Sequence, residues 1–343
     1  MKYWGGCLME KHNIRLSSAE ISGLWTTLIQ ASMTICLIKY FLHHLKDEEI
    51  KPLLNESFQI YSGQMKEIKQ IFSDENIPLP DIFSDEDINL SAPPLFYDPF
   101  SLTFVYSMSR MNMINFSFIT SSVAREDIRL LFSKCLSDAT TQYNKATELM
   151  LNKGLYDRPP MVVYPTENEY IEKKSYLTRL IGDKRPLNVL EITDMFFNIE
   201  RNYFAIVLCM GFLQVVKDKE IFDFISEGKQ ISEKQVTFIN DLLKQENLMG
   251  TTSIPMEVTG STVSPFSDKL IVTLFHALNS IDITLLGHAQ GLSMRADLVA
   301  FYSKTIGEIF LYAAKGFGIL VNRKWIQEPP ATIDRLKLQK HSK

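Results

Sequence analysis

A chain of 343 residues, 45% hydrophobic and 22% charged, has the balance of an ordinary globular protein and the length of two domains of roughly 170 residues each. Its net charge of −4 excludes a global basic field that would draw it to nucleic acid or to an anionic lipid surface. The four cysteines (Cys7, Cys36, Cys135, Cys209) form no CxxC pair. Three of them sit in apolar helical runs, which points to buried free thiols in a reducing compartment.

Taken in order, residues 1–16 read as a lead-in that lacks the apolar core of a signal peptide. Ser17 or Ser18 is the expected N-cap of a first helix, with Glu20 in its first turn, where a carboxylate complements the helix dipole. Ile21, Leu24, Leu28, Ala31, Ile35, Ile38, Leu42 and Leu45 recur at 3-4 spacing, the seam of a bundle helix reaching about His44. The greasiest run, Leu28 to Leu42, is broken by Gln30, Ser32 and Lys39 and falls short of the ~20 apolar residues of a membrane span. A second helix follows the Lys46–Glu49 turn, with Pro52 in its first turn. From Ile77 to about Asp98, Pro78, Pro80, Pro93 and Pro94, with Pro99 just beyond, exclude helix. A connection of about 22 residues is long for a bundle and is expected to span its length, making helices 2 and 3 parallel. Helix 3 is predicted near Phe100–Val123. Helix 4 runs from the Ala124–Asp127 break to about Asn152 and is ended by Gly154.

The chain then repeats itself. Glu20-Ile21 returns as Glu191-Ile192 at an offset of 171. Arg125/Asp127 return as Arg295/Asp297, and Pro159-Pro160 as Pro329-Pro330, at an offset of 170. The second helix-1 seam carries one polar break, Asn202. A repeat this long is a domain duplication. The expected organisation is a lead-in (1–16), a first four-helix bundle (17–160), a polar linker (161–186) with a short helix near Tyr170–Leu180, a second bundle (187–330) and a basic tail (331–343).

The stretches SAEISGLW, KYFLHHLKDEEIKPLL, SAPPLFYDPF, NKATELMLNKGLYDRPP, SPFSDKL and MRADL resemble a bacillar family of unknown function, the DUF family numbered 3231. The resemblance covers about residues 15–330. It implies tandem ferritin-like four-helix units, and thus an all-α fold of two such bundles, each with a long crossover between helices 2 and 3. Members are sometimes labelled spore coat proteins through a distant resemblance to coat protein F of endospores. The resemblance implies an endospore-forming source and supplies no catalytic residues.

A ferritin-like bundle raises the question of a dinuclear metal site, which needs two Glu-x-x-His motifs. The chain has none. The residues that could form a nonstandard polar or metal cluster are Glu20 with Gln64, and Glu191 with Gln235, equivalent positions on helices 1 and 2 of each unit. A glutamine repeated on an inner stripe needs partners there. The plainer reading has both glutamates capping helix 1 and both glutamines hydrogen-bonded inside. Arg125/Asp127 and Arg295/Asp297 read as helix-start ion pairs, Lys39 as a snorkelling side chain, and His43-His44 as exposed. Nucleophile-elbow, P-loop and dinucleotide motifs are missing.

No catalytic residue and no cofactor is therefore expected. The favoured expectation is a structural or interaction protein linked to sporulation, either cytoplasmic or spore-associated. Its partners would be its own two bundles, further copies of itself or coat proteins, with no nucleic acid and no membrane span. A metal or redox protein with a degenerate site, and a carrier of an apolar small molecule between the bundles, are the alternatives.

Overall fold

The computed structural model describes residues 14–173, 175–178, 184–248, 258–335 and 338–339. The start of the lead-in, part of the linker, the first half of the second crossover and most of the tail lie outside the described residues. The chain forms α1 (Ser18–His44), α2 (Lys51–Asp74), α3 (Asp98–Ser122), α4 (Glu126–Asn152), a single-turn α5 (Ser175–Thr178), α6 (Val189–Val215), α7 (Lys219–Gln245), α8 (Asp268–Leu292) and α9 (Ala296–Asn322). It is two all-α four-helix bundles in tandem.

Local chemistry sets the ends. Ser17 and Asn188 are N-caps, and in each case the glutamate three residues on, Glu20 or Glu191, returns a bond to the cap's N–H. These are capping boxes. Gly154 closes α4 at φ +68°, and the Leu155 N–H reaches the Met150 carbonyl at 2.8 Å. Its repeat mate Lys324 takes the same left-handed conformation at φ 57° without being glycine.

Within a unit, α1 packs on α2 and α3, and α4 on α2 and α3. The start of α1, the end of α2 and the α3–α4 junction lie together: Glu20 accepts from the Ala124 and Arg125 N–H groups, and Arg125 pairs with Glu75. At the other end, Asp98 accepts from the Lys46 and Asp47 N–H groups, and Lys153 pairs with Asp47 at 2.8 Å. Helices α2 and α3 are therefore parallel, and the connection between them travels the length of the bundle, as expected.

The two crossovers meet each other. Ile88 pairs with Phe266 and Phe96 with Val258 as short antiparallel bridges. Under the offset of 170 each bridge is the other's image, so the units are related by an approximate two-fold axis through this point. Phe96 and Phe266 enter the opposite bundle. The Phe266 ring lies 5.0 Å from Tyr40, and Phe96 lies against Gly211, the repeat mate of Tyr40. Phe96 stacks on Phe100 at 4.2 Å, and Phe100 on Phe204 at 5.5 Å. One hydrophobic core runs through both units, and a smaller one fills the far end of the first.

This seam accounts for a feature of α1 that a single apolar stripe does not predict. Met33, Leu37, Tyr40 and Phe41, outside the expected seam, are buried too. The helix is covered on two faces, one by its own bundle and one by the sibling. By length and composition α1 and α8 are each apolar enough to cross a membrane; α1 owes that composition to its double burial.

A Cβ at Gly211 would sit 2.6 Å from the Phe96 ring, whereas one at Gly63 meets nothing within 4 Å. Gly211→Ala is expected to cost about 1–3 kcal/mol through overpacking. Gly63→Ala is expected to gain up to about 1 kcal/mol from helix propensity. Urea unfolding of both variants measures the contrast.

Candidate functional site

The four residues singled out by sequence are all buried. Glu20 accepts hydrogen bonds from the N–H groups of Ser17 (2.7 Å), Ala124 (3.1 Å) and Arg125 (2.7 Å). It ties the first turn of α1 to the first turn of α4. Burial alone would raise its carboxyl, but the bonds from Ser17, Arg125 and Ala124 outweigh that and hold it below its ordinary value. Glu191 does the same, bonded to Met294 N–H at 2.9 Å and held by both ends of the Arg185 guanidinium at 2.8 and 2.7 Å. Again burial pushes up, and Arg185 with the backbone donors brings the carboxyl down.

Neither glutamate bonds the glutamine proposed as its partner. Gln64 keeps a buried side-chain oxygen without a partner. Gln235 accepts from Asn202 Nδ2 at 3.3 Å, and Asn202 also donates to the Asn198 carbonyl at 2.9 Å. The polar break in the second seam thus belongs to an internal amide cluster. Nearby, the two units solve one packing problem differently. In the first, Ser57 donates to Gln142 at 2.6 Å. In the second, the mates are Gly228 and Tyr312, and a Cβ at 228 would lie 2.3 Å from the Tyr312 hydroxyl.

The structure adds a constellation that sequence reading missed. Arg201 on α6 pairs with Asp282 on α8 inside the second bundle. Burial lowers the Arg201 guanidinium and raises the Asp282 carboxyl. Arg201 Nε and Nη1, Asn279 Nδ2 and the Tyr312 hydroxyl have no protein partner. They border a cavity of about 60 Å³, the size for one or two waters. The mates of Arg201 and Asp282 are Gln30 and Asn112, and these line a second cleft of about 180 Å³ between α1, α3 and α8. The two clefts correspond in part across the two-fold, charged at Arg201 and Asp282 and neutral at Gln30 and Asn112; the first reaches inward to α7 and α9, and the second lies between the units. Elsewhere on the seam, Arg110 binds Glu200 at 2.8 Å and lies 3.5 Å over the Phe197 ring. The mates of that ion pair, Ser280 and Ile29, carry no charge. The only signal in the sequence was that both members of each aligned pair, Gln30/Arg201 and Asn112/Asp282, are polar.

Among the described residues, no three His, Cys, Asp or Glu side chains gather as a metal site. Cys36, Cys135 and Cys209 are buried free thiols, and burial pushes the first two up to about 12. Arg125 and Arg295 pair with Asp127 and Asp297 and with Glu75 and Glu246, the helix-start ion pairs expected from the repeat. Lys39 reaches the crossover at Asp85. His43 is exposed as expected, whereas His44 is half-buried, its ring 4.8 Å from Tyr40 at the seam, and burial lowers its imidazole.

The outer faces of α4 and α9 are equivalent in the fold and unlike in chemistry. On α4 the face carries Thr140, Thr141, Asn144, Thr147 and Leu151. At the same positions α9 carries Phe310, Leu311, Ala314, Phe317 and Val321. Phe310 is 65% and Leu311 67% exposed.

This architecture defines a class, the tandem four-helix-bundle proteins in which two units exchange crossovers. Within it the particular family is settled by sequence: residues 6–167 and again 175–338 match the family described as "Protein of unknown function (DUF3231)", and the chain belongs to that family. Among solved structures it is similar to a protein from Bacillus halodurans described as a "putative spore coat protein". That match has 24% identity and a TM-score of 0.41, and spans 45% of this chain and all of the other. No curated protein matches the chain.

Two outcomes test the interior. Glu191 is held below its unfolded value, so its contribution is present above about pH 4.3 and is lost as pH falls through the folded value. Glu191→Gln is expected to cost about 1–3 kcal/mol at pH 7, and this difference should shrink by pH 3.5, as urea titrations at both pH values will read. Arg201→Gln strands the Asp282 carboxyl and is expected to cost about 3 kcal/mol. Adding Asp282→Asn, which installs the neutral residues of the first unit and removes the stranded carboxyl, should recover more than half of that loss in a double-mutant cycle.

Proposed function

We propose that this chain is a structural protein without catalytic function, which acts by assembling with partners in an endospore-forming cell, in association with the spore. The observation that carries this reading is the apolar outer face of α9. The first unit is an internal control: the same helix position in the same fold is polar there, so the fold itself does not require Phe310, Leu311 or Phe317. Large apolar side chains left in a row on a helix surface mark an interaction face.

The alternatives have less support. A metal or redox role would use Glu20 or Glu191, whose oxygens are already taken by backbone N–H groups and by Arg185. A carrier would use the cleft bordered by Met33, Met108 and Met111, whose 180 Å³ is below the ~300–1,000 Å³ of small-molecule sites.

The test is fractionation of sporulating cells. The wild-type chain is expected in the spore coat extract. The variant Phe310→Thr/Leu311→Thr/Phe317→Thr, built from the residues of α4, is expected to stay in the soluble fraction with an unchanged far-UV spectrum. A variant that fractionates like the wild type overturns the reading.

A further inference from the structure

The α9 face carries more information than its hydrophobicity. Gly307, Phe310, Leu311, Ala314, Phe317, Gly318 and Val321 fall at 3-4 spacing, within a 120° arc at 100° per residue. This is the spacing of a two-helix seam. The arc is centred on Ala314, and two of its three equidistant pairs set a larger side chain against a glycine. Gly307 and Val321 stand seven residues from the centre, Phe310 and Gly318 four, Leu311 and Phe317 three.

The two glycines, like Gly63, Gly287 and Gly291 elsewhere in the helices, are not accounted for by contacts among the described residues. A Cβ at Gly307 or Gly318 would meet nothing within 4 Å. Neither has φ in the left-handed region, so neither is needed for a turn. Both lie inside a 27-residue helix, where glycine is less favourable than alanine by about 1 kcal/mol. The first unit has Ser137 and Glu148 at these places. Gly211 shows what a glycine inside a helix of this protein does when it has a purpose: it admits a phenylalanine from another element.

We propose that α9 pairs antiparallel with α9 of a second copy of this chain, centred on Ala314. In that register Phe310 of each copy enters the notch at Gly318 of the other, Val321 the notch at Gly307, and Leu311 packs on Phe317. An isologous contact of this kind closes as a dimer. The face is about 21 Å long and would bury roughly 400–500 Å² on each copy, the size of a weak, reversible contact.

The inference rests on the reading of α9 as an assembly face and names its partner. Sedimentation velocity of the full chain from 1 to 500 µM tests it. The wild type is expected to show a reversible monomer–dimer equilibrium. The Phe310→Thr/Leu311→Thr/Phe317→Thr variant is expected to be monomeric throughout. Gly318→Leu, which fills the notch, should weaken the dimer at least thirtyfold without lowering the melting temperature. For the register, Ala314→Cys in a Cys7→Ser background should form an interchain disulfide on mild oxidation, and Ala300→Cys should not. A wild type that stays monomeric, a triple variant that still dimerises, or cross-linking at 300 as efficient as at 314 overturns the proposal. A monomeric wild type whose spore fractionation is still lost in the triple variant overturns self-pairing alone and leaves the assembly reading with a different partner.

Discussion

Phe96 and Phe266, each leaving its own unit to enter the other, are the contact on which the rest of the molecule depends. A four-helix bundle buries one stripe of each helix and leaves the outer faces to water. Here α1 and α6 also bury a second face, because the exchanged rings and the crossover bridges cover it. The long crossovers are therefore structural parts of the interface as well as connections within a unit. Removing a side chain at the seam exposes apolar surface on both halves at once, which couples their stabilities.

Duplication supplies a controlled comparison inside one chain. Both units keep the glutamate that joins the starts of their first and fourth helices, and both keep the arginine that binds the end of the second helix. These groups are saturated, and their carboxylates are held ionised by donors rather than set up to exchange protons. The divergent positions lie elsewhere: Arg201 and Asp282 against Gln30 and Asn112 within the seam, and α9 against α4 on the outside. A charged pair in the second unit stands where the first has two amides that bond elsewhere, Gln30 with Asn115 and Asn112 with Tyr61, at no evident gain in stability, since burial disfavours both charges. The outer face of α9 is apolar where that of α4 is polar, an exposure that the proposed partner would cover.

Much of this was legible in the residues. Helix spans follow from 3-4 apolar spacing, caps from Ser17, Glu20 and Gly154, and the duplication from the offset between Glu20 and Glu191. The parallel course of α2 and α3 follows from a proline-rich connection too long for a hairpin. The glutamates were singled out correctly as a repeated feature; their partners were not legible, because Ala124, Arg125 and Met294 contribute backbone N–H groups that carry no residue signature. Arg201 and Asp282 are 81 positions apart, on helices with no motif around them. Nothing local says that they meet.

What the sequence by itself determined is everything that depends on neighbours along the chain: which segments are helical, where they stop, and that one unit was copied into two. Helix periodicity, capping and proline chemistry act over a few residues, so they can be read without a fold. Only the tertiary structure decided which faces meet. It showed that α1 is covered twice, that the crossovers exchange phenylalanines, that Gly211 makes room for a ring, and that Gly307 and Gly318 of α9, unlike Gly316, make room for nothing among the described residues. Burial and contact are properties of surfaces brought together from distant parts of the sequence, and the same Phe is core on one face of a helix and an open surface on the other.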